Sequence, residues 1–228
     1  MVIEPMKCGT EEFEVHLPEE LIAAELEPNR VELPQRTPAE HIRWALDHPV
    51  DSAPLKELVK AGDKVCIVIS DVTRRWQSPE TYIPVLIAEL ESAGIRDEDM
   101  LIISATGTHR RQTPEEHMGL VTKEVYERIE LVDHVCTDEE NLSYVGTTSR
   151  GTPVWLDKRA LACDKIILTG GVVYHFMAGF GGGRKSILPG IAGRETIMKN
   201  HNLALNPGLG NGSNPQVRSA NMNATNPV

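Results

Sequence analysis

The sequence predicts an α/β fold built on a parallel, Rossmann-like sheet with helices on both faces. Short apolar runs rich in β-branched residues recur along the chain: KVCIVIS at 64–70, MLIISA at 100–105 and DKIILT at 164–169. These runs are nearly continuously apolar rather than alternating, which marks strands buried on both faces. Helical segments with recognisable start signals lie between them, the rhythm of crossover-connected parallel strands.

Residues Phe13–Leu17 alternate and read as a strand. Thr37-Pro38-Ala39-Glu40 is a capping box with Pro at the first helical position, opening a helix to about His48. Leu55–Lys60 reads as a short helix ending at Gly62. After strand 64–70, Ser78-Pro79-Glu80 opens a long amphipathic helix through Ser92, closed by Gly94. Strand 100–105 is followed by a second capping box, Thr113-Pro114-Glu115-Glu116. Glu130–Val135 is a third strand candidate, Asp164–Thr169 a fourth, and Ile191–Asn200 a helical stretch with His201 after it. From Asn202 the chain is rich in Asn, Pro and Gly, and it stops at Asn226-Pro227-Val228 without a closing element. The expected division is one α/β domain over 1–201 and a segment over 202–228 leading to a further domain, the chain being cut short.

Composition narrows the function. A formal net charge of −10 argues against a general nucleic-acid or anionic-membrane binder. It leaves room for an anionic small molecule, because Arg74–Arg75 or Arg184–Lys185 can set the field inside one cleft. The four cysteines, Cys8, Cys66, Cys136 and Cys163, form no CxxC pair, so a reducing cytoplasm is expected. No leader of the basic-then-apolar kind opens the sequence, and no apolar run approaches the roughly 20 residues of a membrane span.

In open parallel sheets, ligands bind beyond the carboxyl ends of the strands. Strand 64–70 exits into Asp71-Val72-Thr73-Arg74-Arg75, strand 100–105 into Thr106-Gly107-Thr108-His109-Arg110, and strand 164–169 into Gly170-Gly171-Val172-Val173-Tyr174-His175. Each exit delivers a charged or titratable group to the same sheet edge. Arg74 offers a planar fork for a carboxylate or phosphate, or it is an ordinary surface arginine. Asp71 caps the next turn or contacts a ligand. His109 and His175 suit acid–base chemistry, or are structural.

Ala178-Gly179-Phe180-Gly181-Gly182-Gly183-Arg184-Lys185-Ser186 is the strongest local signal. Its glycines allow close backbone approach, and its N–H groups can form an anion nest. A P-loop counted from Gly179 needs Gly at 184, where Arg184 stands, so phosphate binding is reasonable and an NTPase is not. Arg184 beside Lys185 is expected to lower the lysine pKa and favour a nucleophilic amine. His201 is a candidate metal ligand with no paired-ligand spacing to support it. His16, His41, His48, His117 and His134 read as structural or exposed.

Taken in order, DxTR after one strand, TGTHR after the next, HFMAGFGGGRKSILPG, and a histidine in the helix that follows resemble the nickel-pincer lactate racemase family, from about Val65 to His201. The resemblance implies an N-terminal cofactor-binding domain whose C-terminal partner is absent from this chain. It also implies a nickel-pincer nucleotide linked to Lys185 through a thioamide, with His201 as the protein ligand to nickel. His109 and His175 would be the acid–base pair, and Arg74 would contact the substrate carboxylate or the cofactor. Asp71, Thr73, Arg74, Gly181, Gly182 and Gly183 would help seat the nucleotide and its phosphate. The partners implied are a small 2-hydroxy acid and the cofactor-synthesis proteins. Val72 and Arg75 stand where the family often has His and Pro, and Tyr174 where many relatives have Pro. The expected activity is racemisation or epimerisation of a lactate-like acid, with the fragment alone inactive. A redox enzyme on the same cofactor and a non-catalytic nucleotide- or phosphate-binding module are the alternatives.

Overall fold

The computed structural model describes residues 1–27, 29–205, 212–222 and 225–228, which divide into a unit over Met1–Gln35 and a unit over Arg36–Val228. The first unit contains an antiparallel hairpin, β1 (Val2–Cys8) with β2 (Glu11–Leu17), in register from Val2–Leu17 to Cys8–Glu11. Part of the Asn/Pro/Gly-rich tail, 206–211 and 223–224, lies outside the described residues.

The second unit opens with α1 (Pro38–Asp47), and its capping box forms as expected: Thr37 Oγ1 accepts from Glu40 N–H while the Glu40 carboxylate accepts from Thr37 N–H. Helix α2 (Leu55–Leu58) is shorter than the expected stretch, because Val59 turns extended and goes into the core. Then come β3 (Val65–Ser70), α3 (Pro79–Ser92), β4 (Met100–Ala105), α4 (Pro114–Val121), α5 (Lys123–Arg128) and β5 (Glu130–Asp133). A second hairpin, β6 (Leu142–Thr147) with β7 (Pro153–Asp157), precedes α6 (Lys158–Leu161) and β8 (Lys165–Leu168). The short pair β9 (Tyr174–His175) and β10 (Gly179–Phe180) and helix α7 (Arg194–Asn202) follow. Helix α7 begins later than expected, since Ile191 is buried in a turn and Ala192 bridges to Leu156. His201 consequently sits inside its last turn rather than after it.

Strands β5, β4, β3 and β8 form one parallel sheet in that order. Strand β3 shows why it is central. Val65, Ile67 and Ile69 pack with Ile83, Leu86 and Ile87 of α3 and Leu120 of α4 on one face. Cys66 and Val68 pack with Ala160 of α6 and Ile191 on the other. Alternate residues face opposite layers and both layers are apolar, which explains the continuous hydrophobic run. All strands run one way, so the loops leaving β3, β4 and β8 emerge at one edge. No helix among the described residues is long and apolar enough to cross a membrane.

One polar cluster interrupts the second layer. His134 is buried between Asp157 Oδ2 and the Ala192 carbonyl, each 3.0 Å away, and Arg159 clamps the same carboxylate. Burial alone would raise the Asp157 carboxyl, but the Arg159 and His134 hydrogen bonds outweigh it and hold it down to about 2. A carboxyl depressed on folding adds stability that is present above its unfolded value near 3.8 and is lost as pH falls towards 2. This group contributes about 2 kcal/mol. Urea midpoints measured from pH 5 down to 2 should fall less steeply for Asp157→Asn than for the parent chain.

Candidate functional site

A cleft of about 450 Å³ opens at the carboxyl edge of the sheet, and Asp71, Arg74, His109, His175, Lys185 and His201 all line it. Gly181 and Gly182 form part of the same wall. Five segments therefore bring their chemistry to one place: the exits of β3, β4 and β8, the glycine-rich segment with Lys185, and the last turn of α7. Thr73 and Gly183 do not line the cleft. The Thr73 hydroxyl donates to Asp71 Oδ1 at 2.6 Å and accepts from Arg74 Nη1 at 3.1 Å, so it acts on its neighbours.

The loop after β3 is a 3-10 turn over Val72–Gln77 capped by Asp71, whose Oδ1 accepts from Thr73 N–H. The other carboxylate oxygen lies 2.5 Å from Nδ1 of His109. A carboxylate can only accept, so Nδ1 carries the hydrogen and Nε2 keeps its lone pair in the neutral ring. Asp71 thus forms the expected cap with one oxygen, and its other oxygen meets His109, a partner the sequence did not indicate.

His175 is wired the opposite way. The backbone N–H groups of Met177 and Ala178 both donate to its Nδ1, each at 3.1 Å, so the neutral ring carries its hydrogen on Nε2. Burial, followed by the nearby charges of Lys185, Arg74 and His201, lowers its pKa and favours that neutral form. His201 donates from Nδ1 to the Ile197 carbonyl one turn back at 2.9 Å, leaving Nε2 unprotonated.

The glycine-rich segment is pinned at both ends. Ser186 Oγ donates to the Thr169 carbonyl at 2.9 Å, tying the segment to the end of β8. Gly181 N–H donates to the Val173 carbonyl at 2.7 Å. That bond removes one donor from the expected anion nest, whose remaining N–H groups stand at the open start of the Gly183–Ser186 turn. Gly182 has φ +72°, and a Cβ there would sit 3.0 Å from the Gly171 carbonyl oxygen. Glycine here lets two loops close on each other, which is what holds Lys185 at the cleft.

Lys185 is depressed as expected, but the cause differs. Burial contributes most and Arg74, across the cleft, the rest; Arg184 is not the source. A neighbour in sequence can point elsewhere, whereas a cation 111 positions earlier faces the amine, a distance that only the fold closes.

A second cleft of about 640 Å³ shares His175, Lys185 and His201 with the first and adds Thr148, Ser149 and Arg150 from the β6–β7 turn. The sequence reading missed this wall. The hairpin's signal was the polar, glycine-containing stretch Thr147–Thr152 between two short runs with tyrosine and tryptophan.

Fold and cleft together define a domain of the open α/β class, with a cleft at the carboxyl ends of parallel strands lined by an amine and three imidazoles. Residues 8–212 match the lactate racemase N-terminal domain, and the chain belongs to that family. The lactate racemase of Lactiplantibacillus plantarum is 38% identical over 162 residues, covering 71% of this chain and 38% of that protein. That of Thermoanaerobacterium thermosaccharolyticum is 34% identical over 160 residues, 70% of this chain and 37% of that protein. The solved structure of the lactate racemase apoprotein from T. thermosaccharolyticum superposes with a TM-score of 0.78 at 29% identity, covering 96% of this chain and 49% of that one. A solved protein from Thermotoga maritima aligns with a TM-score of 0.57 at 25% identity, over 71% of this chain and 39% of that one. The chain spans well under half the length of the curated relatives it matches, and these relatives are racemases, a class of isomerase.

If Arg74 depresses Lys185, Arg74→Ala should return the amine towards its ordinary range. Its acetylation by an amine-directed reagent at pH 8, followed by peptide mass spectrometry, should slow about two- to threefold. Arg184→Ala should leave the rate unchanged.

Proposed function

We propose that this chain is the cofactor-carrying N-terminal part of a racemase or epimerase of small, lactate-like 2-hydroxy acids, loaded with a nickel-pincer nucleotide on Lys185. The observation that carries the reading is the shared cleft: a half-buried amine of lowered pKa beside two histidines preset in opposite tautomers.

The residues present fit such a group. Among the described residues no cluster of three His, Cys, Asp or Glu side chains could hold a metal ion unaided. His201 offers Nε2 in its neutral ring, with Nδ1–H anchored on a backbone carbonyl as metal-bound histidines often are. One imidazole suits a metal that brings its other ligands on an organic group. Lys185, poorly solvated and beside Arg74, suits attachment through its amine. Asp71, Arg74, Gly181 and Gly182 would flank the nucleotide, with Thr73 and Gly183 acting by shaping the two loops. When bound, the group would supply the electron sink that side chains lack, accepting hydride from the substrate C2 and returning it.

The chain's own residues would do the rest. Arg74 would hold the substrate carboxylate with its two-pronged donor face. His109, with Nε2 unprotonated and Asp71 behind it, would take the hydroxyl proton of one enantiomer. His175, with hydrogen on Nε2, would hydrogen-bond the substrate oxygen, and it could hand over that proton only after taking up a second proton on Nδ1. To serve as base for the other enantiomer it must move that hydrogen to Nδ1 and give up the Met177 and Ala178 N–H bonds. Inversion needs proton exchange from two directions, and a cleft with two histidines provides them.

The test begins with the full-length protein co-produced with the cofactor-synthesis proteins. A mass increase on the Lys185 peptide, absent in Lys185→Ala, is expected, together with interconversion of enantiopure 2-hydroxy acids on a chiral column. His109→Gln and His175→Gln should each slow interconversion about 10²- to 10⁴-fold. The 228-residue chain alone should not turn over. An unmodified lysine under loading conditions would instead indicate a nucleotide- or phosphate-binding module, and a net oxidised product would indicate a redox enzyme.

A further inference from the structure

Outside the cleft, one half-buried side chain joins the two loops that carry the Asp71–His109 pair. Gln112 sits three residues after His109 in the loop leaving β4. Its Oε1 accepts from Val72 N–H at 2.6 Å, the residue next to Asp71. Its Nε2 donates to Ser104 Oγ at 2.6 Å and to Asp133 Oδ1 at 2.9 Å. Asp133, at the end of β5, also accepts Gln112's own N–H on Oδ2 at 2.9 Å and His117 Nε2 on Oδ1 at 2.9 Å.

The orientation of this amide follows from its surroundings. The Asp133 side chain is 5% exposed, and its carboxyl sits below the usual range; burial pushes it up, and the His117 and Gln112 hydrogen bonds more than reverse that. An ionised carboxylate accepts only, so the NH₂ end of Gln112 must face it. The amide oxygen is then left for Val72 N–H. A charged group fixed on the far strand of the sheet is converted into a fixed acceptor for the loop that aims Asp71. The backbone bond Gln112 N–H to Asp133 fixes the His109 loop to the same anchor.

We propose that Gln112 is a positioning residue for the Asp71–His109 pair, with Asp133 as its anchor; its catalytic meaning rests on the proposed racemase reading, while its geometric content does not. Neither residue touches the cleft. Only a side chain with a donor and an acceptor on one planar group can bridge a carboxylate to a backbone N–H. A glutamate at 112 would set two carboxylates against each other, while an alanine would leave Val72 N–H and Asp133 short of partners.

The experiment uses the 228-residue chain without cofactor. The Nδ1–H proton of His109, held against Asp71, is assigned by its loss in His109→Gln, and its exchange with solvent is measured by NMR well below the unfolding temperature. Gln112→Ala and Gln112→Glu should speed that exchange about five- to tenfold, a hydrogen bond's worth of positioning. The double variant Gln112→Glu with Asp133→Asn reverses the donor and acceptor roles across the pair and should restore slow exchange. A role in stability alone would lower the melting temperature of the single variants without changing exchange in the folded state, and that result would overturn the proposal. Failure of the double variant to recover, or the lack of any protected His109 signal in the parent chain, would overturn it as well. None of these readouts needs bound cofactor or turnover, so an inactive full-length protein would count against the racemase reading and leave this proposal to its own measurement.

Discussion

Strand β3 is apolar on both faces, and the rest of the molecule is arranged around that constraint. Val65, Cys66, Ile67, Val68 and Ile69 have no exposed surface, so helices must cover one side and the β7–α6 and 187–192 segments the other. A strand in this position cannot carry polar side chains until it ends. Ser70 and Asp71 are the first to appear, at the edge where β4 and β8, parallel and in register, also end. The chemistry of the domain is concentrated at that edge, where the three strands end together.

What happens at the edge is set by short-range wiring. His109 meets a carboxylate, His175 meets two backbone N–H groups and His201 meets a backbone carbonyl. In their neutral forms, His109 and His201 therefore carry the hydrogen on Nδ1 and His175 carries it on Nε2. The cations Arg74 and Lys185 stand in the same cleft although the chain as a whole is strongly acidic. Their proximity lowers the lysine pKa and favours anionic guests, so one pair of charges supports both ligand attraction and amine reactivity. Arg74 makes no ion pair among the described residues, which leaves its guanidinium for a ligand.

Much of this was legible in the chain. Continuous apolar runs marked the sheet strands, and the Thr37/Glu40 and Thr113/Glu116 capping boxes formed where the sequence indicated. The placement of Asp71, Arg74, His109 and His175 followed from the rule that strand exits share an edge, and Lys185 was signalled by the glycine-rich motif. Other features depend on distances the sequence does not carry. The β6–β7 hairpin alternates irregularly around Gly146 and gives no strong strand pattern. The Lys185 depression comes first from burial and then from Arg74, in another loop, rather than from its neighbour Arg184. Gln112 looks like any polar loop residue until Asp133 and Val72 are brought to it. The tautomers of the histidines are invisible to sequence because they belong to the partners, not the rings.

The claim at the centre of this account is that the cleft presets His109 and His175 in opposite neutral tautomers. Nitrogen-15 NMR of the histidine-labelled chain at pH 8, with each ring assigned by its His→Gln variant, reads the protonated nitrogen directly. The account predicts the hydrogen on Nδ1 of His109 and on Nε2 of His175. The same tautomer at both rings, or an even mixture at either, would contradict it.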